Sequence, residues 1–497
     1  MCCGGFMQGK IEKITERFIM EGICLAPEAL DFLIKLEKPL EVAEQIIANI
    51  KESNDSLVVL TLDTLKKYLH AINTTTTQVT PKKLRRPYAK EISPNIRVRR
   101  HVNNNVACRS SVDDFIKYFR SRLQKIRQIY ARNGIQAIRI SDAYTAQTEV
   151  RVIGIITDIK EWKNVTTFEL EDEEASIKVI VTSEDLKMRM QYVTLDSVVC
   201  VVGRIWNGKL YAADIVLPDT PLDRKCNRST EEVYALIVSD THIGSKLFLE
   251  TFFKKMLDWI KNGDDNHREL VDRIKYVIFA GDLVDGVGIY PEQEKELQIK
   301  DIYMQYKKAS QLIDEIPDWM EIIMIPGNHD ATRPCLPAPP ILKDYAEQLY
   351  EKPNIYMLGD PALISIHDVL FLISHGRSLD DLLTTLPNAT FSNPTRALKG
   401  ILKMRHLAPI YGQKTPILPL KEDLLVIDDV PDVFVTGHVH VFDYAVYRNT
   451  SLISCSAWQD ISSYQKMIGI IPTIGKAILI DLSNPLRIFT KNFMQFS

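Results

Sequence analysis

The chain has 497 residues, of which 45% are hydrophobic and 25% charged, and its formal net charge is −3. This length predicts roughly two to four domains, and this composition is typical of folded protein and argues against global disorder. A chain this close to neutral is not a strongly basic nucleic-acid binder as a whole, so any such surface must be local.

The N-terminus and the cysteines indicate a reducing compartment. No stretch of the sequence approaches the ~20 apolar residues that a membrane helix needs, and the first residues lack the apolar core of a signal peptide. The eight cysteines include no C-x-x-C pair, which argues against a disulfide framework and a zinc ribbon. We therefore expect an intracellular protein with no membrane partner.

Residues 1–72 are predicted to form a small helical domain. Apolar residues recur there at helical spacing in three runs, namely Ile11, Ile14, Phe18 and Ile19, then Leu30, Phe32, Leu33 and Leu36, then Val42, Ile46, Ile47 and Ile50. No pattern in this segment indicates chemistry, so we interpret it as a docking module.

Residues 73–110 differ in composition from both neighbours. Between Thr74 and Arg109 the sequence has three prolines, and it has nine Lys or Arg residues against one Glu. Few aliphatic residues are present to build a core, so a flexible basic linker is predicted. Such a linker either contacts a phosphate backbone or is a solvated tether, and the sequence does not decide between the two.

Residues 111–145 are predicted to form one amphipathic helix and a connector. The helix spans residues 112–133, with Asp113 and Asp114 in its first turn and Gly134 after its end. Its apolar stripe consists of Phe115, Phe119, Leu123, Ile126 and Tyr130.

Residues 146–219 follow the period of β-strands. The candidate strands are Val150–Lys160, Thr166–Leu170, Ser176–Val181, Ser197–Ile205 and Leu210–Leu217. A helical patch, Glu184–Gln191, follows the third strand, and Asn207-Gly208 is typical of a type I′ turn between the last two. Five strands with a helix after the third predict an OB-fold barrel. Because residues 149–219 hold 13 acidic and 8 basic residues, protein docking is favoured over nucleic-acid binding.

Residues 220–497 are predicted to form one large α/β domain. Five apolar runs in it end abruptly in polar residues: Val233–Val238 before Ser239-Asp240-Thr241-His242, Tyr276–Ala280 before Gly281-Asp282-Leu283-Val284-Asp285, Ile322–Ile325 before Pro326-Gly327-Asn328-His329-Asp330, Val369–Ile373 before Ser374-His375-Gly376-Arg377, and Val433–Val435 before Thr436-Gly437-His438-Val439-His440. Such runs suit strands buried on both faces, and residues past the carboxyl ends of parallel strands converge on one sheet edge. Five of the ten histidines fall in these blocks, so chance placement is a poor explanation.

The residue types in these blocks suit metal ions. Imidazole nitrogen and carboxylate oxygen bind Mn²⁺, Fe²⁺ and Zn²⁺. In Asp-x-His and His-x-His, both side chains point to the same side of an extended chain. Two ions ~3.5–4 Å apart can hold a phosphate and generate hydroxide, and Asp282 is the candidate bridge between them. The candidate ligands are Asp240, His242, Asp282, Asn328, His375, His438 and His440.

The ordered set of five blocks resembles the calcineurin-like metallophosphoesterase superfamily. Four longer segments point to one family within that superfamily. They are GDLVDGVGIYPEQEKEL, IPGNHDATRPCLPAPP, ISHGRSLDD and the helix DDFIKYFRSRLQKIR. From about residue 110 to the C-terminus they resemble the small subunit of the archaeal D-family DNA polymerase. The resemblance implies a multi-domain α/β fold, in which an OB-fold barrel is joined to an α/β/β/α phosphoesterase sandwich and a small helical domain precedes both.

The resemblance also implies a function. It implies a metal-dependent 3′→5′ exonuclease that degrades single-stranded or mismatched 3′ DNA ends to nucleoside 5′-monophosphates. It implies a large catalytic subunit as the partner for DNA synthesis, primer–template DNA as a further partner, and a cytoplasmic location at the nucleoid. Two divalent metal ions are implied as cofactors, with Mn²⁺ or Mg²⁺ for activity and Fe²⁺ or Zn²⁺ as further options.

Roles can be carried over residue by residue. The resemblance implies one metal ion on Asp240, His242, Asp282 and His440, and a second on Asp282, Asn328, His375 and His438. His329 matches the residue that protonates the leaving 3′ oxygen or stabilises the transition state, and Asp330 is expected to hold its tautomer. Asp285 departs from the His that many nucleases of the superfamily have, so it is expected to hydrogen-bond His329 or to shape the loop. Arg377 and Asp285 are further candidates for substrate contact.

Two other functions share parts of this pattern. A structural accessory subunit, as in eukaryotic replicative polymerases, has a similar architecture that has lost its ligands, whereas every expected ligand is present here. A phosphoprotein phosphatase or cyclic-nucleotide diesterase would use the same metal site. The barrel and the basic linker favour a nucleic-acid context over a phosphatase or a cyclic-nucleotide diesterase.

Overall fold

The computed structural model of the protein has two compact units, Met1–Arg85 and Arg86–Ser497. The residues that it describes are 14–21, 23–36, 39–52, 59–76, 87–103, 107–264 and 266–494. Ile11 of the N-terminal pattern lies outside the described residues, and so do Lys82, Lys83, Arg85 and Arg86 of the predicted linker.

The N-terminal unit is a small helical fold with one short pair of strands. Residues 14–20 are helical. The helices that follow are α1 (Pro27–Leu33), α2 (Pro39–Glu52) and α3 (Leu62–Thr76), and the parallel strands are β1 (Cys24–Leu25) and β2 (Val59–Leu60). Apolar residues of the predicted runs form the core, among them Ile14, Phe18, Leu33 and Ile46. The helical character predicted for this segment is confirmed, whereas the strand pair was not predicted.

The C-terminal unit contains the remaining described elements. Its helices are α4 (Tyr88–Glu91), α5 (Val112–Arg132), α6 (Ile140–Ala143), α7 (Glu184–Met190), α8 (Glu250–Asn262), α9 (Arg268–Val271), α10 (Ile302–Ile313), α11 (Glu347–Tyr350), α12 (Leu379–Thr385), α13 (Thr395–Met404) and α14 (Ser463–Ile468), with a 3₁₀ turn at Gln293–Lys295. Its strands are β3 (Ile96–His101), β4 (Val150–Trp162), β5 (Val165–Glu171), β6 (Ser176–Val181), β7 (Val198–Trp206), β8 (Lys209–Val216), β9 (Tyr234–Val238), β10 (Ile274–Ala280), β11 (Glu321–Ile325), β12 (Ile355–Met357), β13 (Ala362–Ile366), β14 (Val369–Ile373), β15 (Val433–Thr436), β16 (Asp443–Tyr447), β17 (Thr450–Ser454), β18 (Lys476–Asp481) and β19 (Ile488–Asn492). Across the described parts of both units, none of the helices combines the length and the apolarity that crossing a bilayer requires.

Strands β4 to β8 close into a five-stranded barrel in the order β4-β5-β6-β8-β7. All neighbours are antiparallel except β6 and β8, which are parallel. Each strand lies within two residues of its predicted bounds, because inward apolar residues alternate with outward polar ones. Asn207 and Gly208 have φ values of 47° and 69°, which confirms the predicted hairpin turn.

Two six-stranded sheets pack face to face in the rest of the unit. Their strand orders are β12-β11-β10-β9-β18-β19 and β16-β17-β15-β14-β13-β3. Apolar residues of both sheets fill the space between them, among them Ile237, Ile278, Phe371 and Val435. Helices α8 and α10 cover the outer face of the first sheet, and α12 and α13 cover that of the second. In this four-layer arrangement, the loops after β9, β10, β14 and β15 meet at one edge.

A buried arginine of helix α5 connects the barrel to the sheets. The helix begins at a capping box formed by Ser111 and Asp114. Arg122 is fully buried, and its Nε lies 2.9 Å from Asp423 Oδ2. Its Nη1 donates to the carbonyl oxygens of Asp196, next to the barrel strand β7, and of Pro409. The predicted helix is confirmed, but its apolar stripe gave no sign of this ionic contact.

The prediction of a flexible linker over residues 73–110 is wrong for the described part of that segment. Residues 73–76 continue α3, and residues 88–91 form α4. Strand β3 then adds to the edge of the second sheet, antiparallel to β13. Ile96 and Val98 alternate with arginines, which is a pattern of edge strands, where charge discourages further pairing. The high charge content concealed this alternation.

Candidate metal centre

Loops at the carboxyl ends of five strands carry the predicted ligands. Strand β9 precedes Asp240 and His242, β10 precedes Asp282, β11 precedes Asn328, β14 precedes His375, and β15 precedes His438 and His440. The two sheets therefore both contribute to one site. Asp240, His242, Asp282 and His375 are at most 2% exposed.

The backbone of these loops is not extended, although an extended chain was expected for the Asp-x-His and His-x-His patterns. The φ values of Asp240, His242, Asp282, His438 and His440 lie between 48° and 70°. Residues with a side chain rarely adopt this left-handed region, and such strain is found mainly where the surrounding structure enforces a functional geometry. Asp240 and His242, and likewise His438 and His440, therefore reach the site through left-handed turns and not through the alternation of side chains along a strand.

A first group of ligand atoms is formed by the residues expected to hold one ion. His242 Nε2 lies 3.1 Å from His440 Nε2, and His440 Nε2 lies 3.4 Å from Asp240 Oδ1. The oxygen Asp282 Oδ2 is 3.8 Å from His242 Nε2. Ligand atoms ~2.1 Å from a common ion stand roughly 3.0–3.4 Å apart, so the first two separations fit one metal ion, and the third is a few tenths of an ångström longer.

A second group shares Asp282 with the first. Asp282 Oδ2 lies 3.1 Å from His375 Nε2, and ligand atoms of Asp282, His375 and His438 all lie within 4.8 Å of one another. The other oxygen, Oδ1, accepts a hydrogen bond of 2.8 Å from the His329 backbone N–H. A single carboxylate oxygen therefore faces both groups, which is the position that a bridging ligand would take. Gly327 is required beside it, because a Cβ there would lie 2.0 Å from Asp282 Oδ1.

Two ligand atoms are buried without a well-aligned hydrogen bond. Among the residues that the structure describes, the Oδ1 atom of Asn328 has none, and the Nε2 atom of His375 makes no well-aligned hydrogen bond to the nearby Asp282 Oδ2 or to any other group. A buried polar atom of this kind is costly unless another group satisfies it. Both atoms belong to the predicted ligand set, so this observation fits a bound cation.

The imidazole rings are fixed through their Nδ1 atoms. His375 Nδ1 lies 2.9 Å from the Ala280 carbonyl oxygen, His242 Nδ1 lies 3.0 Å from Asp285 Oδ1, and His440 Nδ1 lies 2.8 Å from the side-chain amide of Gln465. The Ala280 carbonyl and the Asp285 carboxylate can each accept a proton from Nδ1, which leaves the Nε2 lone pair directed at a metal ion, whereas the Gln465 amide N–H donates to His440 Nδ1 and so holds only the position of that ring. In all three residues, Nε2 is the nitrogen that faces the cluster.

Asp285 supports His242, and its contact with substrate stays a prediction, since it is one of the residues that line the cavity over the cluster. Its carboxylate is fully buried, and Oδ1 also accepts a 3.2 Å hydrogen bond from Gln459 Nε2. Its backbone carbonyl oxygen lies 2.7 Å from His329 Nδ1. The expectation that Asp285 contacts His329 therefore holds for the backbone, whereas the carboxylate supports a candidate ligand.

The expectation that Asp330 holds the tautomer of His329 is wrong. The Asp330 carboxylate accepts hydrogen bonds from the backbone N–H groups of Leu283, Val284 and Gly327, and the Tyr306 hydroxyl also donates to it. Adjacent residues on this turn point to different sides, so the carboxylate ties two loops together. The Asp285 carbonyl performs the tautomer role instead, and it leaves His329 Nε2 as the nitrogen available to a ligand.

Burial and neighbouring charges set the pKa values of the cluster. Burial would raise the pKa of the Asp282 carboxyl, but the adjacent imidazoles of His375 and His329 hold that pKa well below its usual value. Burial also opposes ionisation of Asp240, and the imidazole of His440 beside it still lowers the pKa of that carboxyl. Both carboxylates are thus anionic at neutral pH, as metal ligands must be. Burial lowers the pKa of His329, so this imidazole is neutral at rest.

Two further side chains lie near the site, one predicted from the sequence and one missed. Arg377 is buried, and it is not among the residues that line the cavity over the cluster, so its substrate contact stays a prediction. Asp380 was not predicted, yet its Oδ2 lies 3.1 Å from His438 Nε2. Asp380 follows the ISHGRS block in the first turn of α12, and its position relative to His438 depends on the packing of that helix. No local sequence signal identifies this contact.

A cavity of about 250 Å³ opens over the cluster. His242, Asp282, Asn328, His329 and His438 are among the polar residues that line it. The other lining residues are mainly apolar or aromatic, and no Lys or Arg is present among the described residues of the lining. The arrangement can therefore hold two cations beneath a cavity of nucleotide size.

Comparison with known proteins identifies a family. The family model that describes the B-type subunit of DNA polymerases alpha and epsilon matches residues 235–443. The DNA polymerase II small subunit of Pyrococcus horikoshii is 40% identical, in a match that covers 78% of this chain and 63% of that relative. The chain thus spans less than two thirds of the length of that relative.

Another relative is matched over almost its whole length. The DNA polymerase II small subunit of Methanothermobacter thermautotrophicus is 34% identical, and the match covers 95% of this chain and 98% of that protein. Among solved structures, an archaeal phosphodiesterase is similar at 16% identity over 52% of this chain and 99% of its own, with a TM-score of 0.26, which is too low to support an argument.

Proposed function

The chain belongs to the family of DNA polymerase II small subunits, and from that premise we propose that it is a metal-dependent 3′→5′ exonuclease that proofreads for an archaeal replicative DNA polymerase. One observation carries this proposal: two groups of buried ligand atoms share the oxygen Asp282 Oδ2. Two ions that share a carboxylate are a recurring device for cleaving phosphodiesters.

The residues present fit two divalent cations. Asp240, His242, Asp282 and His440 would hold one ion, and Asp282, Asn328, His375 and His438 would hold the other. When bound, the pair of ions supplies a hydroxide nucleophile and neutralises charge on the phosphate. Donor sets rich in imidazole favour Mn²⁺, Fe²⁺ or Zn²⁺ over Mg²⁺, so we propose Mn²⁺ as the first ion to test.

His329 would handle the proton at the leaving 3′ oxygen. Its Nδ1 is held by the Asp285 carbonyl, so its Nε2 is the nitrogen available to substrate. Burial lowers the pKa of this imidazole, and an arriving phosphate anion would favour its protonated form again. His329 would then stabilise the pentacovalent phosphate and donate the proton as the bond to the 3′ oxygen breaks.

The lining of the cavity favours a diester over a monoester substrate. A phosphate monoester carries about two negative charges at neutral pH, and proteins usually neutralise it with Arg or Lys. Within the described lining there is neither, and Asp380 adds negative charge. A phosphodiester carries a single negative charge, so this cavity suits a nucleic-acid strand better than a phosphoprotein.

The barrel supports a docking role beside the nuclease. Its strand order and its single parallel pair are those expected of an OB-fold, and the four-layer sheets are those expected of a calcineurin-like phosphoesterase. Trp162 and Trp206 of the barrel are 71% and 64% exposed. Exposed tryptophans are typical anchors of protein interfaces, so we propose the barrel as part of the surface for a large polymerase subunit. Deleting residues 146–219 without loss of that binding would contradict this role.

A purely structural accessory subunit is disfavoured by the energetics of the cluster. The buried carboxylates Asp240 and Asp282, and the buried atoms of Asn328 and His375 that lack a well-aligned hydrogen bond, would all be costly to retain in a site without function. A scaffold role can accompany the nuclease, but it does not explain these residues.

The proposal is tested by degradation of labelled 3′ ends. The full chain is assayed on primers with matched and mismatched 3′ termini, with and without the large subunit, in Mn²⁺, Mg²⁺, Fe²⁺ and Zn²⁺. We expect nucleoside 5′-monophosphates as products, faster release from mismatched ends, and no cleavage after chelation. Cleavage that survives chelation, or the absence of cleavage in every metal, would contradict the proposed function.

A further inference from the structure

The rim of the cavity over the metal centre differs in character from its floor. The floor is made of the carboxylates and imidazoles described above. Tyr290, Phe391, Tyr464 and Ile468 contribute aromatic and aliphatic surface to the same cavity. Ion binding does not require such side chains, so the rim calls for a separate explanation.

The exposed apolar side chains near the cavity are concentrated on helix α14. Tyr464 is 57% exposed and Met467 75%, and Ile468 is 39% exposed. Single exposed apolar residues are ordinary, but a group of them on one short helix beside a reaction centre indicates a binding surface. Tyr464 and Ile468 both line the cavity, which locates this surface at its mouth.

Helix α14 is held firmly to the metal centre. Its first turn has a capping box, in which Ser462 Oγ accepts from the Gln465 N–H and Gln465 Oε1 accepts from the Ser462 N–H. Nε2 of the same glutamine lies 2.8 Å from His440 Nδ1. Tyr464 therefore has a fixed position relative to a candidate metal ligand.

Tyr290 is held in a similar way beside the candidate proton donor. Its ring centroid lies 6.2 Å from that of His329 in an edge-to-face arrangement. Its hydroxyl donates a 3.0 Å hydrogen bond to Glu296 Oε2, which restrains the ring. The cavity thus has an aromatic residue on each of two separate chain segments, one restrained by its hydroxyl and the other carried by a capped helix.

The chemistry of a nucleotide indicates which of its parts the aromatic rings of the rim can bind. The described lining has no Lys or Arg to bind the sugar–phosphate chain beyond the ions, whereas its aromatic rings offer a surface suited to the bases. Every base has an aromatic face, and stacking on Tyr is tolerant of sequence. A cavity of about 250 Å³ is small, so it suits a single terminal nucleotide better than a longer stretch of strand.

We propose that Tyr464 and Tyr290 form a stacking subsite for the unpaired nucleobase at the 3′ end of the strand that is cleaved. This inference deepens the proposed function and rests on it. It makes the two tyrosines specificity-determining residues, because a base can reach them once it has left the duplex. The preference for a frayed end would thus come from the shape and the aromatic rim of the cavity.

The test removes the ring and the base separately. The full chain and its variants Tyr464→Ala and Tyr464→Phe are compared on a single-stranded oligonucleotide with a normal 3′ nucleotide, on the same strand with an abasic 3′ residue, and on methyl p-nitrophenyl phosphate, a small diester whose single ring is in the leaving group. We expect Tyr464→Ala to lower kcat/KM on the normal strand by roughly 5- to 100-fold, chiefly through KM. Tyr464→Phe should retain near-normal rates, because it keeps the ring.

The other two substrates distinguish a loss of base stacking from a loss of phosphodiester cleavage. On the abasic strand the unmodified chain should already be slow, and Tyr464→Ala should slow it less than twofold further. Hydrolysis of the small diester should be unchanged in both variants. Equal losses on the normal and the abasic strand would overturn the stacking subsite while leaving the nuclease intact. Failure of the unmodified chain to cleave either the DNA or the small diester would instead overturn the proposed function, and the subsite with it.

Discussion

Two buried clusters of the C-terminal unit combine histidine with aspartate, and they differ in what is left unsatisfied. The first cluster, which we call the clamp, consists of Arg122 of helix α5, Asp423 and His406. In the clamp, Asp423 Oδ2 lies 2.9 Å from Arg122 Nε and 2.8 Å from His406 Nε2. His406 Nδ1 accepts from the Ala408 N–H, so both ring nitrogens have partners. In the candidate metal centre, Asn328 Oδ1 has no hydrogen-bond partner among the described residues, and His375 Nε2 makes no well-aligned hydrogen bond although Asp282 Oδ2 lies 3.1 Å away. The same residue types thus make a closed network in one place and an open ligand set in the other.

The two clusters also differ in charge balance. The Asp423 carboxylate is opposed by a guanidinium in direct contact. The carboxylates of Asp240, Asp282 and Asp285 have imidazoles as their ion-pair partners, and among the described residues no Lys or Arg lies within ion-pair distance of them. Burying carboxylates without a compensating cation is expensive. The clamp is therefore balanced in charge as folded, whereas the candidate metal centre would be balanced by the cations that the proposed function expects.

The largest expected effect comes from removing the shared carboxylate. Asp282→Ala should abolish 3′-end cleavage, with a loss of at least ~10³-fold, because both ions lose a ligand and their common bridge. The measurement is the rate of 5′-monophosphate release in Mn²⁺. Asp158→Ala, which removes an exposed carboxylate from the barrel, is the matched control and should keep full activity. Activity within tenfold of normal in Asp282→Ala would refute the bridging assignment.

The next effect isolates proton transfer from metal binding. His329→Ala should lower cleavage by roughly 10²- to 10⁴-fold while the metal content stays normal, because His329 is not in the expected ligand set. Rate and metal content are measured on the same preparation. A substrate whose leaving group needs no proton, such as thymidine 5′-(p-nitrophenyl phosphate), should be cleaved with a much smaller loss. Loss of the metals would instead assign His329 to the ligands.

Breaking the clamp should affect stability and spare the metal centre. Arg122→Met leaves the buried Asp423 carboxylate without its guanidinium, so the free energy of unfolding should fall by about 3–5 kcal/mol. Arg120→Met, on the exposed side of the same helix, should change it by less than about 0.5 kcal/mol. Denaturant unfolding measures both. If Arg122→Met also lost its metal ions while still folded, the two clusters would not be independent.

The clamp also predicts how stability depends on pH. Burial, followed by the charge of Arg122, lowers the pKa of His406 to about 4. The unfolded chain takes up this proton near pH 6.5, whereas the folded chain does so near pH 4, so this contribution to stability is lost as pH falls from about 6.5 to about 4. The loss should be on the order of 2–3 kcal/mol. Urea unfolding at several pH values in this range measures it, and His406→Gln should flatten the dependence.

The smallest effect concerns the support of a single ligand. Gln465→Ala removes the contact behind His440 and should weaken binding of one metal ion by roughly 10- to 100-fold. Ser462→Ala disturbs the same capping box but leaves that contact in place, so it should bind both ions normally. Titration of the metal-depleted protein with Mn²⁺ compares the two. Equal affinities in the two variants would reduce Gln465 to a helix cap.

The sequence predicted the parts of the site that depend on local pattern. Apolar runs that end at Asp240, Asp282 and His375 located the strand ends, and strand polarity then brought the residues together. The supporting contacts of Gln465 and Asp380 could not be predicted, because they depend on how α14 and α12 pack against the loops. Those contacts are set by tertiary structure and not by spacing along the chain.

Elsewhere the sequence was read too coarsely. The composition of residues 73–110 predicted a linker, whereas the alternation of Ile96 and Val98 with arginines forms an edge strand once β13 offers a partner. Asp330 was assigned to His329 because the two are adjacent, but the turn directs its carboxylate to the backbone N–H groups of Leu283 and Val284. In both cases the partner is distant in the chain, and no local pattern identifies it.

The candidate metal centre is expected to hold two metal ions around Asp282, and metal stoichiometry tests this expectation most directly. The full chain, Asp282→Ala and Arg122→Met are each reconstituted with Mn²⁺, desalted and analysed for metal per chain. We expect about two ions in the full chain and in Arg122→Met, and fewer than about half an ion in Asp282→Ala. Two ions retained in folded Asp282→Ala, or none bound by the full chain, would contradict a two-metal centre bridged by this carboxylate.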